Sequence, residues 1–88
     1  MEKFILKLFV SGNTNNSQKA IENLEKVCKK ALENNYELTV IDVFEDPDLA
    51  EKMNILATPT VIKEQPDPVR RIIGDLSDSD RVSNVLDL

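Results

Sequence analysis

The chain has no histidine and a single cysteine, Cys28. Without histidine there is no Ser–His or Cys–His pair to activate a nucleophile, and no zinc site of the usual ligand types. One cysteine cannot close an internal disulfide, which excludes a disulfide-stapled secreted framework. Glycine is nearly absent, and Gly12 stands alone where a phosphate loop would need company. No apolar run approaches the ~18–20 residues of a membrane span. The opening Met1-Glu2-Lys3-Phe4 is too short and mixed for a signal peptide. Positive charge is also in deficit: the net charge of -5 argues against a nucleic-acid partner, although a small basic patch would still be compatible with it. These absences predict a soluble cytoplasmic protein that uses no cofactor or metal and binds neither nucleic acid nor membrane. The 88 residues are enough for one domain spanning 1–88. A chain of this size buries roughly two-thirds of its unfolded surface, so its stability should be modest. No linker, repeat or low-complexity tract interrupts it.

What is present is a regular alternation of elements. Residues 3–10 read as a strand, with Phe4, Leu6, Leu8 and Val10 on one face and Ile5, Lys7 and Phe9 on the other. Both faces are largely apolar, which predicts a central strand covered on two sides. A loop rich in Ser, Asn and Thr follows, and Thr14 or Asn16 is the expected N-cap of the first helix. That helix is predicted over 17–34, with Ala20, Ile21, Leu24, Val27, Cys28, Ala31 and Leu32 in one stripe. Glu22–Lys26 and Glu25–Lys29 are spaced to pair along its outer face. Cys28 falls inside the stripe and reads as a small buried hydrophobe.

Residues 38–43 form a second strand, apolar on both faces, parallel to the first through the helical crossover. Asp46 then caps a short helix with Pro47 at its first position, Leu49, Ala50 and Met53 facing inward and Asn54 at its end. Pro59 opens a third strand that runs to about residue 63, a place suited to a residue that cannot donate a ladder bond. Gln65-Pro66-Asp67-Pro68 turns the chain into an antiparallel strand predicted over 69–73, which Gly74 stops. Ser77 and Asp80 have capping-box spacing, opening a last helix with Val82, Val85 and Leu86 on one face.

The order β-α-β-α-β-β-α, with Thr58-Pro59-Thr60 before the third strand, resembles the thioredoxin superfamily, where a cis-proline opens that strand. The resemblance supplies its own test. Thioredoxin-like enzymes carry Cys-x-x-Cys or Cys-x-x-Ser between the first strand and first helix, with the thiol activated at the helix N-terminus. Here the stretch is Gly12-Asn13-Thr14-Asn15-Asn16-Ser17, without sulfur, and Cys28 lies about three turns further on. Asp46, Asp48, Asp75, Asp78 and Asp80 fall at helix starts, where capping explains them. The sequence predicts a protein that is not an enzyme.

A closer resemblance spans nearly the whole chain. Leu6-Lys7-Leu8-Phe9-Val10-Ser11-Gly12-Asn13-Thr14, Val40-Ile41-Asp42-Val43, Leu49-Ala50-Glu51, Ile55-Leu56-Ala57-Thr58-Pro59-Thr60 and Pro68-Val69-Arg70-Arg71-Ile72-Ile73-Gly74-Asp75-Leu76-Ser77 look like the KaiB family of circadian clock proteins. The resemblance implies a metamorphic binding module that docks on the N-terminal ATPase ring of a KaiC-type hexamer. There it would sequester KaiA and compete with a KaiB-like sensor kinase domain. It further implies two folds: a thioredoxin-like monomer that binds partners, and a resting homotetramer ordered β-α-β-β-α-α-β. It places partner contacts at Asn13, Glu37, Thr39, Asn54, Arg70 and Arg71, and fold switching at Pro59, Pro66, Pro68, Gly74, Val85 and Asp87.

The departures from the family pattern are informative. Val85 stands where the family usually has Gly before Leu-Asp-Leu, and Gly in a helix costs up to ~1 kcal/mol against a good helix former while Val costs less. That difference, with the Ser77 cap, predicts that the thioredoxin-like fold dominates. Asp67 interrupts a run of prolines. Thr39 and Asn54 stand where the family has lysines toward KaiA and KaiC, and Glu37 replaces a small apolar residue, so electrostatic complementarity to these partners is expected to be reduced. Arg70 and Arg71 match the family and suit partner carboxylates, or equally a solvated strand face. Two other readings stay open: a redox-inactive thioredoxin-like adaptor for an unrelated signalling or stress partner, and a glutathione-transferase-type enzyme holding a thiol at Ser17 or Thr14.

Overall fold

Strand β1 (Phe4–Val10) is the centre of the molecule because its alternate residues are apolar on both faces. The structure, a computed structural model, describes residues 2–88. After β1 come α1 (Asn15–Leu32), β2 (Tyr36–Asp42), α2 (Pro47–Lys52), β3 (Thr60–Gln65), β4 (Arg70–Ile73) and α3 (Ser79–Leu86). This is the expected thioredoxin-like order, not the β-α-β-β-α-α-β alternative. The sheet runs β2-β1-β3-β4. β1 and β2 are parallel, as the crossover through α1 requires, while β3 is antiparallel to both β1 and β4.

One face of the sheet packs on α1 and α3. Leu6, Leu8 and Val10 of β1, Val61 of β3 and Ile72 of β4 meet Ala20, Leu24, Val27 and Cys28 of α1 and Val82 and Leu86 of α3. Lys63, only 1% exposed, also lies in this layer, its ammonium 5.7 Å from the centre of the Phe4 ring. The opposite face carries a smaller core of Phe9, Ile41 and Ile62 under Leu49, Met53 and Ile55 of the α2 segment.

Several boundaries follow local chemistry. Thr14 caps α1, its Oγ1 accepting from the Ser17 backbone N–H at 3.1 Å, and so the helix starts two residues before the predicted 17. Asp46 caps α2 with Pro47 at the first position, as expected. The α3 cap differs from the prediction. Asp78 Oδ1 accepts from the Arg81 N–H at 3.1 Å, while Ser77 is held by Asp75 through both its N–H and hydroxyl, at 2.9 and 2.8 Å. Asp78 is the better-placed acceptor because it stands immediately before the first helical residue, and Ser77 is already engaged.

Other corrections concern burial. β2 is an edge strand, and its predicted two-sided apolar cover is incomplete: Ile41 is buried on one face, Tyr36 and Leu38 are only half-buried on the other, and Val40 is exposed. Val85 is 38% exposed, outside the stripe of Val82 and Leu86. The predicted pairs Glu22–Lys26 and Glu25–Lys29 do not close. The ion pairs among the described residues are Lys3–Glu37 and Lys7–Glu64, which bridge strands. Residue 69 lies before β4 and is exposed, so that strand is shorter than predicted by one residue.

Candidate functional site

The end of the sheet where β1 and β2 finish and β3 begins gathers three loops. Their tether is a residue that sequence reasoning passed over. Asp42 Oδ1 accepts from the Gly12 N–H at 3.0 Å and from the Phe44 N–H at 2.9 Å, tying the β1–α1 loop to the β2–α2 loop. The second bond is an Asx-turn, and a strand-terminal Asp two residues before a loop is the signal that would have found it. Gly12 has φ +66, so a side chain there would strain the backbone, although its Cβ would meet the Phe44 ring only at an ordinary contact distance of 3.7 Å. Phe44 itself is 74% exposed.

The third loop joins through hydroxyls. Ser11 Oγ and Thr58 Oγ1 are 2.5 Å apart, immediately before the cis Thr58–Pro59 bond. Ser17 donates to the Ser11 carbonyl at 3.2 Å and accepts from the Thr14 hydroxyl at 3.0 Å. These groups line a recess of about 270 Å³ with Val10, Asn16 and Pro59. Here a thioredoxin would hold its reactive sulfur. The recess instead holds these mutually bonded hydroxyls and the Ser11 carbonyl, with no thiol and no base among its lining residues to activate one of them. Cys28 is buried, and burial, with Glu25 adding, pushes its thiol from the ordinary 9.0 up to about 11. It is a core residue with almost no thiolate at neutral pH. Among the described residues, no group of three His, Cys, Asp or Glu side chains is arranged to hold a metal.

The expected partner residues fall into separate groups. Glu37 and Thr39 lie on edge strand β2, on the α2 side of the sheet, and Glu37 pairs with Lys3 at 3.2 Å. Thr39, Lys7, Ile62 and Arg71 form one transverse row across all four strands of that face. Arg71 is brought against Asn54: its Nη1 donates to the Asn54 carbonyl at 3.2 Å and its Nη2 to the Met53 carbonyl at 2.9 Å. The Arg71 guanidinium is therefore engaged with the backbone of this turn. Arg70 pairs in register with Lys63 and belongs to the other face, where it is exposed. Asn13 is exposed in the β1–α1 loop, its amide oxygen accepting from Gln18.

The expected switch residues are spread over the second half. Pro59, Pro66 and Pro68 each follow a cis peptide bond, and Gly74 has φ +103 with open space where a Cβ would go. Asp87 closes α3 in the left-handed region at φ 61, ψ 43. Its N–H and that of Leu88 return to the Asn84 and Ser83 carbonyls at 3.3 and 3.0 Å, the bond pattern of a Schellman end. Leu88 packs back onto the core.

Fold and site together define a thioredoxin-like domain whose redox position is occupied by hydroxyls. The same fold is found in the N-terminal domain of Synechococcus elongatus SasA, at TM-score 0.77 and 22% identity over 96% of this chain and 79% of that one. Mitochondrial thioredoxin 3 from Saccharomyces cerevisiae matches at TM-score 0.74 and 19% identity, over 100% of this chain and 81% of that one. The chain belongs to the KaiB family: residues 7–88 match the family's KaiB domain. It is 53% identical to the circadian clock oscillator protein KaiB of Prochlorococcus marinus strain MIT 9211 over 97% of this chain and 75% of that protein. The KaiB of Nostoc punctiforme is likewise 53% identical, over 97% of this chain and 82% of its own length. Among the described residues no helix is long and apolar enough to cross a membrane.

Proposed function

We propose that this chain is a non-enzymatic circadian clock component that acts in its thioredoxin-like form, docking on the N-terminal ATPase ring of a KaiC-type hexamer. The observation that carries this is the pairing of 53% identity to clock proteins with the thioredoxin-like order and a thiol-free β1–α1 loop. The docking surface is the α2–β4 junction around Asn54, where Arg71 binds the turn; Asn13 in the β1–α1 loop and Arg70 on the other face of edge strand β4 are outlying contacts. Glu37 and Thr39 on the β2 edge are the contacts for KaiA, weakened where the family's lysine is replaced by Thr39. The shared fold of the SasA N-terminal domain supports competition for the ring with a KaiB-like sensor kinase domain.

The thioredoxin-like monomer is the prevailing form in solution, and the resting homotetramer the minor one. Asp78 at the α3 N-terminus, the Schellman end at Asp87, and Val85 in place of a helix glycine all favour α3. Sedimentation with a KaiC-type hexamer tests the reading. Co-migration of this chain with the hexamer supports it, and no association in either ADP or ATP sinks it. Backbone chemical shifts at known mass test the form. Helix over 79–86 in a monomer is expected, and strand at the C-terminus in a tetramer would overturn it.

A further inference from the structure

The α2 helix has six residues, too few to hold itself together. Its end is nevertheless closely specified. The N–H groups of Met53, Asn54 and Ile55 return to the carbonyls of Leu49, Glu51 and Ala50 at 2.9, 3.1 and 2.9 Å. Asn54 takes φ 58 and turns the chain away from the helix. The carbonyls of Met53 and Asn54 are then left without a helical partner, and the Arg71 guanidinium of β4 takes both. On the far side of the turn, Ile55 packs against the Phe9–Ile41–Ile62 cluster. With Ile55 turned inward and the backbone clamped from β4, Leu56 projects outward and is 92% exposed.

A single exposed leucine is ordinary on a protein surface. This one is held on its N-terminal side by the Arg71 clamp and Ile55, and on its C-terminal side by the Thr60 hydroxyl, which donates to the Ala57 carbonyl at 2.7 Å. Little further ordering is therefore needed when a partner covers it. We propose that Arg71 is a positioning residue: its two carbonyl bonds fix the turn after α2 so that Leu56 is presented as the apolar anchor for the ATPase ring. The inference rests on the ring partner of the preceding subsection, and it deepens that reading by separating the contact from the residue that sets it. Leu56 lies two residues beyond Asn54 in the turn that Arg71 of β4 clamps, so it adjoins the surface assigned to the ring. A lysine at 71 keeps the charge but replaces the planar fork with a single ammonium, so it cannot reproduce the clamp.

The test is a double-mutant cycle in the full chain, read as affinity for a KaiC-type hexamer. Leu56→Ala is expected to weaken binding about tenfold or more, as for an interface anchor. Arg71→Lys is expected to weaken it by a similar factor, with unchanged dependence on salt. The double variant should be no more than about twofold weaker than Leu56→Ala alone, because Arg71 acts through Leu56. Additive losses, or full affinity in Arg71→Lys, overturn the proposal in favour of a direct charge contact. A second arm needs no partner: amide hydrogen exchange in Arg71→Lys should speed up at Asn54 and Ile55 and stay unchanged in β1 and β3. Unchanged exchange at the turn, or uniform acceleration everywhere, overturns the positioning role. Absence of binding by the unaltered chain would instead remove the ring partner, leaving the exchange arm to decide the clamp.

Discussion

The two faces of the sheet are built to different standards. On one, the 18 residues of α1 and eight of α3 bury β1, β3 and β4 under a continuous core from Leu6 to Leu86. On the other, the six residues of α2 cover only Phe9, Ile41 and Ile62, leaving Thr39, Lys7 and Arg71 along an open row. The first face supplies most of the apolar burial that stabilises so short a chain. The second is thin, polar at its margins and bordered by the exposed Phe44 and Leu56. Cohesion thus lies chiefly with one face, and most of the residues proposed for partner contact lie on the other.

The largest effect should come from cutting into the thick face. Leu24 is fully buried beneath α1, and Leu24→Ala should cost about 3 kcal/mol through lost transfer energy and the cavity left behind. Met53 is half-buried at the end of α2, and Met53→Ala should cost only about 1 kcal/mol. Urea unfolding of both variants checks the contrast, and equal losses would show that the thin face holds the fold as firmly as the thick one.

Cys28 probes how dry the thick face is. Its thiol, pushed up to about 11 by burial, should react with a disulfide reagent at neutral pH only as fast as the chain opens. The pH dependence has a definite sign. A thiol whose folded value lies above its unfolded value of 9.0 leaves stability untouched below pH 9, and stability falls as pH rises through about 11. Rapid labelling of the native chain at neutral pH, or a loss of stability already below pH 9, would mean that α1 lies more loosely on the sheet.

A smaller effect separates the two candidates for the α3 cap. Asp78→Ala should cost about 1 kcal/mol, and Ser77→Ala clearly less, because only Asp78 reaches an orphan N–H of the helix. The reverse order in thermal unfolding would restore the capping box read from Ser77 and Asp80.

Much of the architecture was legible because periodicity and cap chemistry are local. The alternation in β1, the Asp46-Pro47 start and the Thr14 cap each needed only a few neighbouring residues. The misreadings came where the answer depended on distant chain. Leu38, Val40, Ile41 and Val43 are as apolar as a central strand, and nothing local says that β2 takes the edge. Val85 has the right spacing for the stripe, yet α3 presents only Val82 and Leu86 to the core. At the site, sequence could nominate Asn54 and Arg71 but could not join them, since 17 residues separate the arginine from the carbonyl it binds. For Asp42 only half the role was out of reach: its Asx-turn to Phe44 is local, but its bond to Gly12 spans 30 residues.

The smallest expected effect lies at the link between the two faces, in the turn from β4 to α3. Asp75 is fully exposed, and its carboxyl is held below the ordinary carboxylate range chiefly by the Ser77 hydroxyl, then by the Ser77 N–H, with Arg81 adding a minor share. Because the folded value is depressed, whatever this turn contributes is present above the unfolded carboxylate value and is lost as pH falls through the folded one. Solvent screens an exposed group, so the change in global stability should be slight. The local signal should not be. Carboxyl NMR should show Asp75 titrating below the free carboxylate, and Ser77→Ala should return it most of the way while α3 stays folded on its Asp78 cap. An Asp75 that titrates normally in the unaltered chain would leave Ser77 free after all, and the question of what starts α3 would reopen.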